Sequence, residues 1–187
     1  MKLEDAQALS AHIRDLITPC VERVEVAGSI RREKLQVKDI ELCVLEPSYE
    51  ELFRVIPQFG YIIKPGTPQV IPWEARVGSK YIRIMTHEGI KLDMFVGTQE
   101  NWGVLYTMRT GGATGPDGSA FSGFVPGLFK RWKKLSGGGM MKDCLPTYPD
   151  GSNVTCPEES DFFQLLNMKW VPPNERVSNK VIKGYVI

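Results

Sequence analysis

With 187 residues, 42% of them hydrophobic, the chain has enough apolar mass for one compact domain, or for a main lobe with a small appendage. Its 23 Lys+Arg against 22 Asp+Glu leave a formal charge of +1, which excludes a grip on long nucleic acid through overall charge and requires any such contact to be local. Lys2, Glu4, Asp5 and Arg14 interrupt the apolar positions of the first segment, so it reads as neither signal peptide nor membrane span, and a cytoplasmic monomer without membrane contact is expected.

In chain order, Leu9, Ile13, Leu16 and Ile17 lie on one helical face, predicting a helix over 3–17 that Pro19 stops. Val21 to Ala27 reads as a strand that turns at Gly28-Ser29 into a short helix. Asp39 to Leu45 is predicted as a buried strand and Tyr49 to Ile56 as a helix. Lys80 to Met85 and Ile90 to Val96 read as two strands joined by the hairpin Thr86-His87-Glu88-Gly89. Asn101 to Arg109 looks helical and stops at Gly111-Gly112, with a turn at Gly115-Pro116-Asp117-Gly118. Gly137-Gly138-Gly139 marks a flexible joint. Thr155-Cys156-Pro157-Glu158 has the form of a capping box ahead of Phe162, Leu165 and Leu166, in a helix that Pro172-Pro173 closes.

Cys20, Cys43, Cys144 and Cys156 show no C-x-x-C pairing, so reduced structural thiols are expected rather than a zinc or disulfide framework. His12 and His87 lie far apart in sequence, which argues against a metal or acid–base role for either. Met140, Met141 and Met168 read as core filler, and Trp73, Trp102 and Trp170 as packing residues.

The chemistry-bearing signal is acidic. Asp39 and Glu41, one residue apart in an apolar strand, project from the same face, where two anions repel each other unless a cation lies between them. Magnesium prefers such oxygen ligands and keeps positions open for phosphates. Asp93, between Leu92 and Met94 in a second strand, could complete the set, and three carboxylates can hold two ions about 3.5–4 Å apart. D-x-E alone equally describes an exposed acidic strand face. Its context is Gly28-Ser29 at a strand-to-helix turn followed by Arg31 and Arg32, with Asp39 ten positions after Ser29. Glycine lets a phosphate approach the backbone, the helix start offers N–H groups, and Arg32 can neutralise charge with a forked contact. The basic run Lys130-Arg131-Trp132-Lys133-Lys134 could bind DNA phosphates while Trp132 stacks on a base, or be a solvated face with a half-buried Trp.

Gly28-Ser29-Ile30-Arg31-Arg32, Asp39-Ile40-Glu41 and Lys91-Leu92-Asp93, in that order, resemble the signature of family X DNA polymerases, the group containing DNA polymerase beta. Trp102 to Tyr106 ahead of Arg109-Thr110-Gly111-Gly112 resembles that family's sugar-lining segment, and Glu158 to Arg176 the end of its last subdomain. The resemblance implies an α+β fold: a nucleotidyltransferase palm with a mixed sheet over residues 1–110, then a small thumb-like C-terminal subdomain over 111–187 that closes on the nascent base pair. It further implies two Mg2+ or Mn2+ ions on Asp39, Glu41 and Asp93, a triphosphate on Gly28, Ser29 and Arg32, and a sugar against Thr110, Gly111 and Gly112. The implied partners are a primer-template or gapped DNA and a dNTP, and the small size would suit a phage- or virus-encoded enzyme.

The chain departs from the family pattern where Glu41 stands for the usual second Asp, Lys91 for an Arg and Gly112 for a Ser. The single N-terminal helix is too short for the family's separate lyase domain, so no lyase activity is expected. Two aromatic residues usually precede the Thr-Gly of the sugar segment, but Met108-Arg109 stand there, so rNTPs should be tolerated unless Tyr106 supplies the barrier. The expected activity is templated extension of a primer or filling of a short gap. Two alternatives stand beside it: untemplated nucleotidyl transfer to an RNA end, a protein or a small molecule, and a non-catalytic nucleic-acid-binding module.

Overall fold

The computed structural model describes all 187 residues, which form two compact units, Met1–Gly97 and Thr98–Ile187. The fold is α+β. The first unit opens with helix α1 (Leu3–Ile17), whose buried stripe of Ala6, Ser10, Ile13 and Ile17 repeats every three or four residues. Strand β1 (Arg23–Val26) leads through Ala27 into the single turn α2 (Gly28–Arg31). Then come β2 (Asp39–Leu45), α3 (Tyr49–Val55), β3 (Gly60–Ile62), β4 (Tyr81–Thr86) and β5 (Lys91–Gly97). Each element predicted from periodicity in this unit is present, with boundaries within two residues. Strand β3 is not among those predicted, since its Gly-Tyr-Ile is too short to show an alternation.

The sheet runs β1-β2-β5-β4-β3 and is mixed: β2 and β5 are parallel, and the other pairings are antiparallel. One face of the sheet is apolar. Ile40, Leu42 and Val44 of β2, Leu92 and Met94 of β5, and Ile82 and Ile84 of β4 pack against α1 and α3 in a single core. Alternation along each strand then sends Asp39, Glu41, Asp93 and Arg83 to the opposite face.

In the second unit, α4 (Trp102–Thr110), α5 (Phe124–Leu135) and α6 (Glu159–Leu165) surround a core of Phe124, Leu128, Trp132, Phe162, Phe163 and Leu166, with the hairpin β6 (Met140–Lys142) and β7 (Leu145–Thr147) beside it. Helix α4, expected at the end of the first lobe, belongs to this unit, because Gly103 lies so close to the α6 entry that a Cβ would collide with the Glu158 carbonyl.

Four local expectations are corrected here. The N-cap of α6 is Glu158, not Thr155: the Glu158 side chain accepts from the Asp161 N–H, and the Asp161 carboxylate accepts from the Glu158 N–H at 2.8 Å. That helix ends at Leu165, seven residues before Pro172, where Asn167 takes a left-handed φ of 49°. Gly137-Gly138-Gly139 is a helix end rather than a joint: Gly137 has φ 71°, and the Gly138 N–H donates to the Lys133 carbonyl at 2.8 Å. Met140 is 64% exposed, since it sits in an edge hairpin, whereas Met168 is buried as expected.

None of the four cysteines forms a disulfide. Burial pushes the Cys156 thiol up to about 12, with Asp161 adding repulsion, so it stays protonated and unreactive.

The second unit closes around a buried ion pair. The Arg176 guanidinium donates through Nη1 to Glu159 Oε1 at 2.6 Å, through Nη2 to Oε2 at 3.3 Å, and through Nε to the Val171 carbonyl at 2.9 Å. Glu159 also accepts from the Thr107 hydroxyl and the Trp170 indole, each at 3.2 Å, and Arg176 lies against the rings of Phe163 and Trp170. Removing one partner strands the other in low dielectric. Arg176→Ala should therefore destabilise the second unit by about 3–5 kcal/mol, read as a lower midpoint in urea unfolding. A change below about 1 kcal/mol, the range of exposed pairs, would show that solvent screens this one.

Candidate functional site

The open face of the sheet collects the charge. Glu41 pairs directly with Asp93 across the β2–β5 ladder, and Asp39 pairs with Lys91. Neighbouring strands stand about 4.8 Å apart and same-face residues about 6.6 Å apart, so the backbone brings the three predicted carboxylates within one small patch.

Asp93 is only 6% exposed, and its neighbours on β4 satisfy it. Arg83, its direct register partner, donates Nε to Oδ1 at 2.6 Å and Nη2 to Oδ2 at 2.7 Å, while the Tyr81 hydroxyl donates to Oδ1 at 2.7 Å. The fork raises the Arg83 pKa, chiefly through its hydrogen bonds to Asp93. Burial, followed by the Asp93 hydrogen bond and charge, raises that of Tyr81. Tyr81 is itself fixed by stacking on Phe95 at 5.2 Å.

Arg32 faces the other two carboxylates. Burial lowers its pKa, and the negative charges of Glu41 and Asp39 oppose that shift, so the guanidinium is a counter-ion to both. Gly28 supplies the close approach: its φ is 62°, and a Cβ there would collide with Glu41 Oε2. The Ala27 N–H donates to the Glu41 carbonyl at 2.8 Å, tying the turn to β2. At this turn the Ser29 hydroxyl is buried without a hydrogen-bond partner, an uncommon state for a polar group beside two arginine-bearing positions.

With the side chains as they stand, no three acidic, imidazole or thiol groups converge to hold a metal ion; Asp93 is engaged in the Arg83 fork, and Arg32 is the counter-ion of Glu41 and Asp39. The donor set still suits a hard cation: three carboxylates on one face, a glycine-backed turn and an orphaned hydroxyl. Arg83 would have to yield one oxygen of Asp93 to an incoming ion.

The remaining predicted residues lie in the second unit. Thr110 is fully buried at the end of α4, and a Cβ on Gly111 would press on Phe124 and Val125. The Gly112 N–H donates to the Arg176 carbonyl at 2.8 Å, and its carbonyl accepts from Val125. Tyr106 is buried and stacks on Trp102 at 5.7 Å, whereas Met108 and Arg109 are half-buried.

The basic run divides. Trp132, with 1% exposure, is core, its indole N–H donating to the Met140 and Thr147 carbonyls, so it is unavailable to stack on a base. Arg131 caps α6 by donating to the Leu166 and Asn167 carbonyls, which suits the negative end of a helix. Lys130 donates to the Phe121 carbonyl at 3.2 Å, while Lys133 and Lys134 are exposed.

Sequence reasoning missed Arg83 and Tyr81. Their alternate spacing in a predicted strand was visible, but their partnership with Asp93 depends on a hairpin register. No family model and no curated protein sequence matches the chain.

If Arg83 holds Asp93, Arg83→Ala should lower stability by about 2–3 kcal/mol and Tyr81→Phe by about 1 kcal/mol, the first losing a charged fork and the second one hydrogen bond. Thermal denaturation of both variants checks this. Equal small losses would show that Arg83 does not hold the carboxylate.

Proposed function

We propose that the chain is a template-directed DNA polymerase of family X type, transferring a nucleotide from a dNTP to a primer or gap 3′-hydroxyl. One observation carries the reading: Asp39, Glu41 and Asp93 share the open face of two adjoining strands, with the Gly28–Ser29–Arg32 turn packed against Glu41. An ordinary acidic strand face would not be backed by a left-handed glycine, a buried orphan hydroxyl and a half-buried arginine.

In this reading the Ser29 hydroxyl and the N–H groups of the first turn of α2 bind the triphosphate, and Arg32 balances its charge. Asp39, Glu41 and Asp93 would hold two Mg2+ or Mn2+ ions, which when bound supply charge neutralisation at the attacking and leaving oxygens. Asp93, with one carboxylate oxygen released by Arg83, orients the 3′-hydroxyl and accepts its proton as the 3′-oxygen attacks the α-phosphorus and pyrophosphate leaves. The residues contribute position and charge rather than covalent chemistry. The family resemblance assigns the sugar contact to Met108 and Arg109, both half-buried in the second unit, in place of a rigid aromatic barrier, and the stacking of Tyr106 on Trp102 within that unit supports that choice.

A near-neutral charge and the engagement of Arg131 in a helix cap favour a second reading, transfer to an acceptor other than a DNA duplex. Incubation with a gapped duplex, a single strand and each labelled nucleotide, with and without magnesium, separates the two: template-matched extension supports the first, and untemplated addition the second. Asp39→Asn and Asp93→Asn should each lower turnover on the order of a thousandfold or more; Asp39→Asn should keep the parent stability, whereas Asp93→Asn also leaves Arg83 without its carboxylate and should lose stability as Arg83→Ala does. Near-normal rates in either would sink the assignment. Steady-state incorporation opposite one template base should favour dNTP over rNTP by less than roughly a thousandfold, about 4 kcal/mol; a larger preference would show a closed sugar gate.

A further inference from the structure

Between α4 and α5, the loop over residues 113–123 presents Phe121, which is 79% exposed. Its backbone is held from three sides. The Phe121 N–H donates to Ser119 Oγ at 3.1 Å, and its carbonyl accepts from Lys130 Nζ at 3.2 Å and from Asn179 Nδ2 at 3.0 Å. The Asn179 N–H donates to the Ser122 carbonyl at 2.8 Å, and Asp117 accepts from the Ser119 N–H at 2.9 Å and from the Ser122 hydroxyl. A large apolar ring is thus displayed on a loop pinned to α5 and to the C-terminal segment. Pre-ordering of this kind lowers the entropic cost of binding.

The surrounding charge is mainly positive. Lys130 Nζ lies 5.4 Å from the ring centroid, and Lys134 follows one turn later on the same stripe of α5. Gly127 lets the C-terminal segment approach α5 so closely that a Cβ would stand 2.7 Å from Asn179 Cβ, and this brings up the exposed Lys180. Asp117 is the acidic group of the loop, with Lys180 acting on it as a counter-charge.

We propose that Phe121, Lys130, Lys134 and Lys180 form a binding surface for a single nucleic-acid strand, the Phe121 ring stacking on a base while the amines meet phosphates. A lone flat ring among cations suits a base, whose π-face needs one platform, better than a membrane or protein partner, which would draw on a contiguous apolar patch. Phe121 thereby takes the part that Trp132, buried in the core, cannot play. The choice of a nucleic acid as occupant rests on the polymerase reading. Binding is measurable without nucleotide or metal, however, so its failure is distinct from failure of catalysis.

The test is fluorescence anisotropy of a labelled oligothymidylate, and of an abasic strand of equal length, against the full chain at several salt concentrations. Phe121→Ala, which removes an exposed ring, should weaken oligothymidylate binding about tenfold or more, leave abasic-strand binding unchanged and keep the salt slope. Phe121→Trp should restore affinity. Lys130→Ala should reduce the slope by about one unit. Affinity of Phe121→Ala within twofold of the parent, equal losses on the two strands, or Phe121-dependent binding to phosphatidylserine vesicles in place of the oligonucleotide would each overturn the proposal.

Discussion

The parallel pairing of β2 with β5 is the constraint on which the first unit depends. It sets Glu41 opposite Asp93, and by the strand period of two it assigns the acidic residues of those strands to one face and Ile40, Leu42, Val44, Leu92 and Met94 to the other. A slip of one residue would bury Asp39 and Glu41 against α1 and α3 while exposing Ile40 and Leu42. The hydrophobic core therefore holds the register, and the register assembles the acidic patch. Parallel strands need a long crossover, and here α3, β3 and β4 lie between the two in sequence.

Gathering three carboxylates is costly unless their charge is balanced, and the fold supplies cations from two directions. Arg83 comes from β4 by antiparallel register, and Arg32 from the end of α2 by the close packing of Gly28 on Glu41. Both are half-buried beside the site rather than distant surface charges. Such counter-ions let the patch fold as a stable unit, and they are groups that a bound cation would displace or share.

In the second unit polar groups act mostly as structure. Arg176 and Glu159 sit under aromatic rings, Arg131 closes a helix end, and the Trp132 indole ties α5 to the neighbouring hairpin. A cluster of basic residues in a sequence is thus a poor guide to a basic surface: of five consecutive residues on α5, one is core and one caps another helix. The exposed aromatic ring belongs instead to a loop whose sequence resembled an ordinary turn.

Local periodicity was enough to read α1, β2, α3 and the β4–β5 hairpin, because burial on one face imposes a spacing that a short window can see. It also read Asp39, Glu41 and Asp93 as candidates, since charged residues inside apolar strands conflict with burial and stand out for that reason. The short strands β3, β6 and β7 lacked the length to show a period, and the α6 cap lies at Glu158, which exchanges hydrogen bonds with Asp161 three residues on, rather than at Thr155. Which partners the carboxylates would have was a matter of register between segments far apart in the chain, so Arg83 and Tyr81 emerged only once β4 was laid beside β5. Whether Trp132 or Phe121 would face solvent was decided likewise by helix packing, since a window of sequence reports the chemistry of a ring but not which side of a helix the rest of the unit will cover.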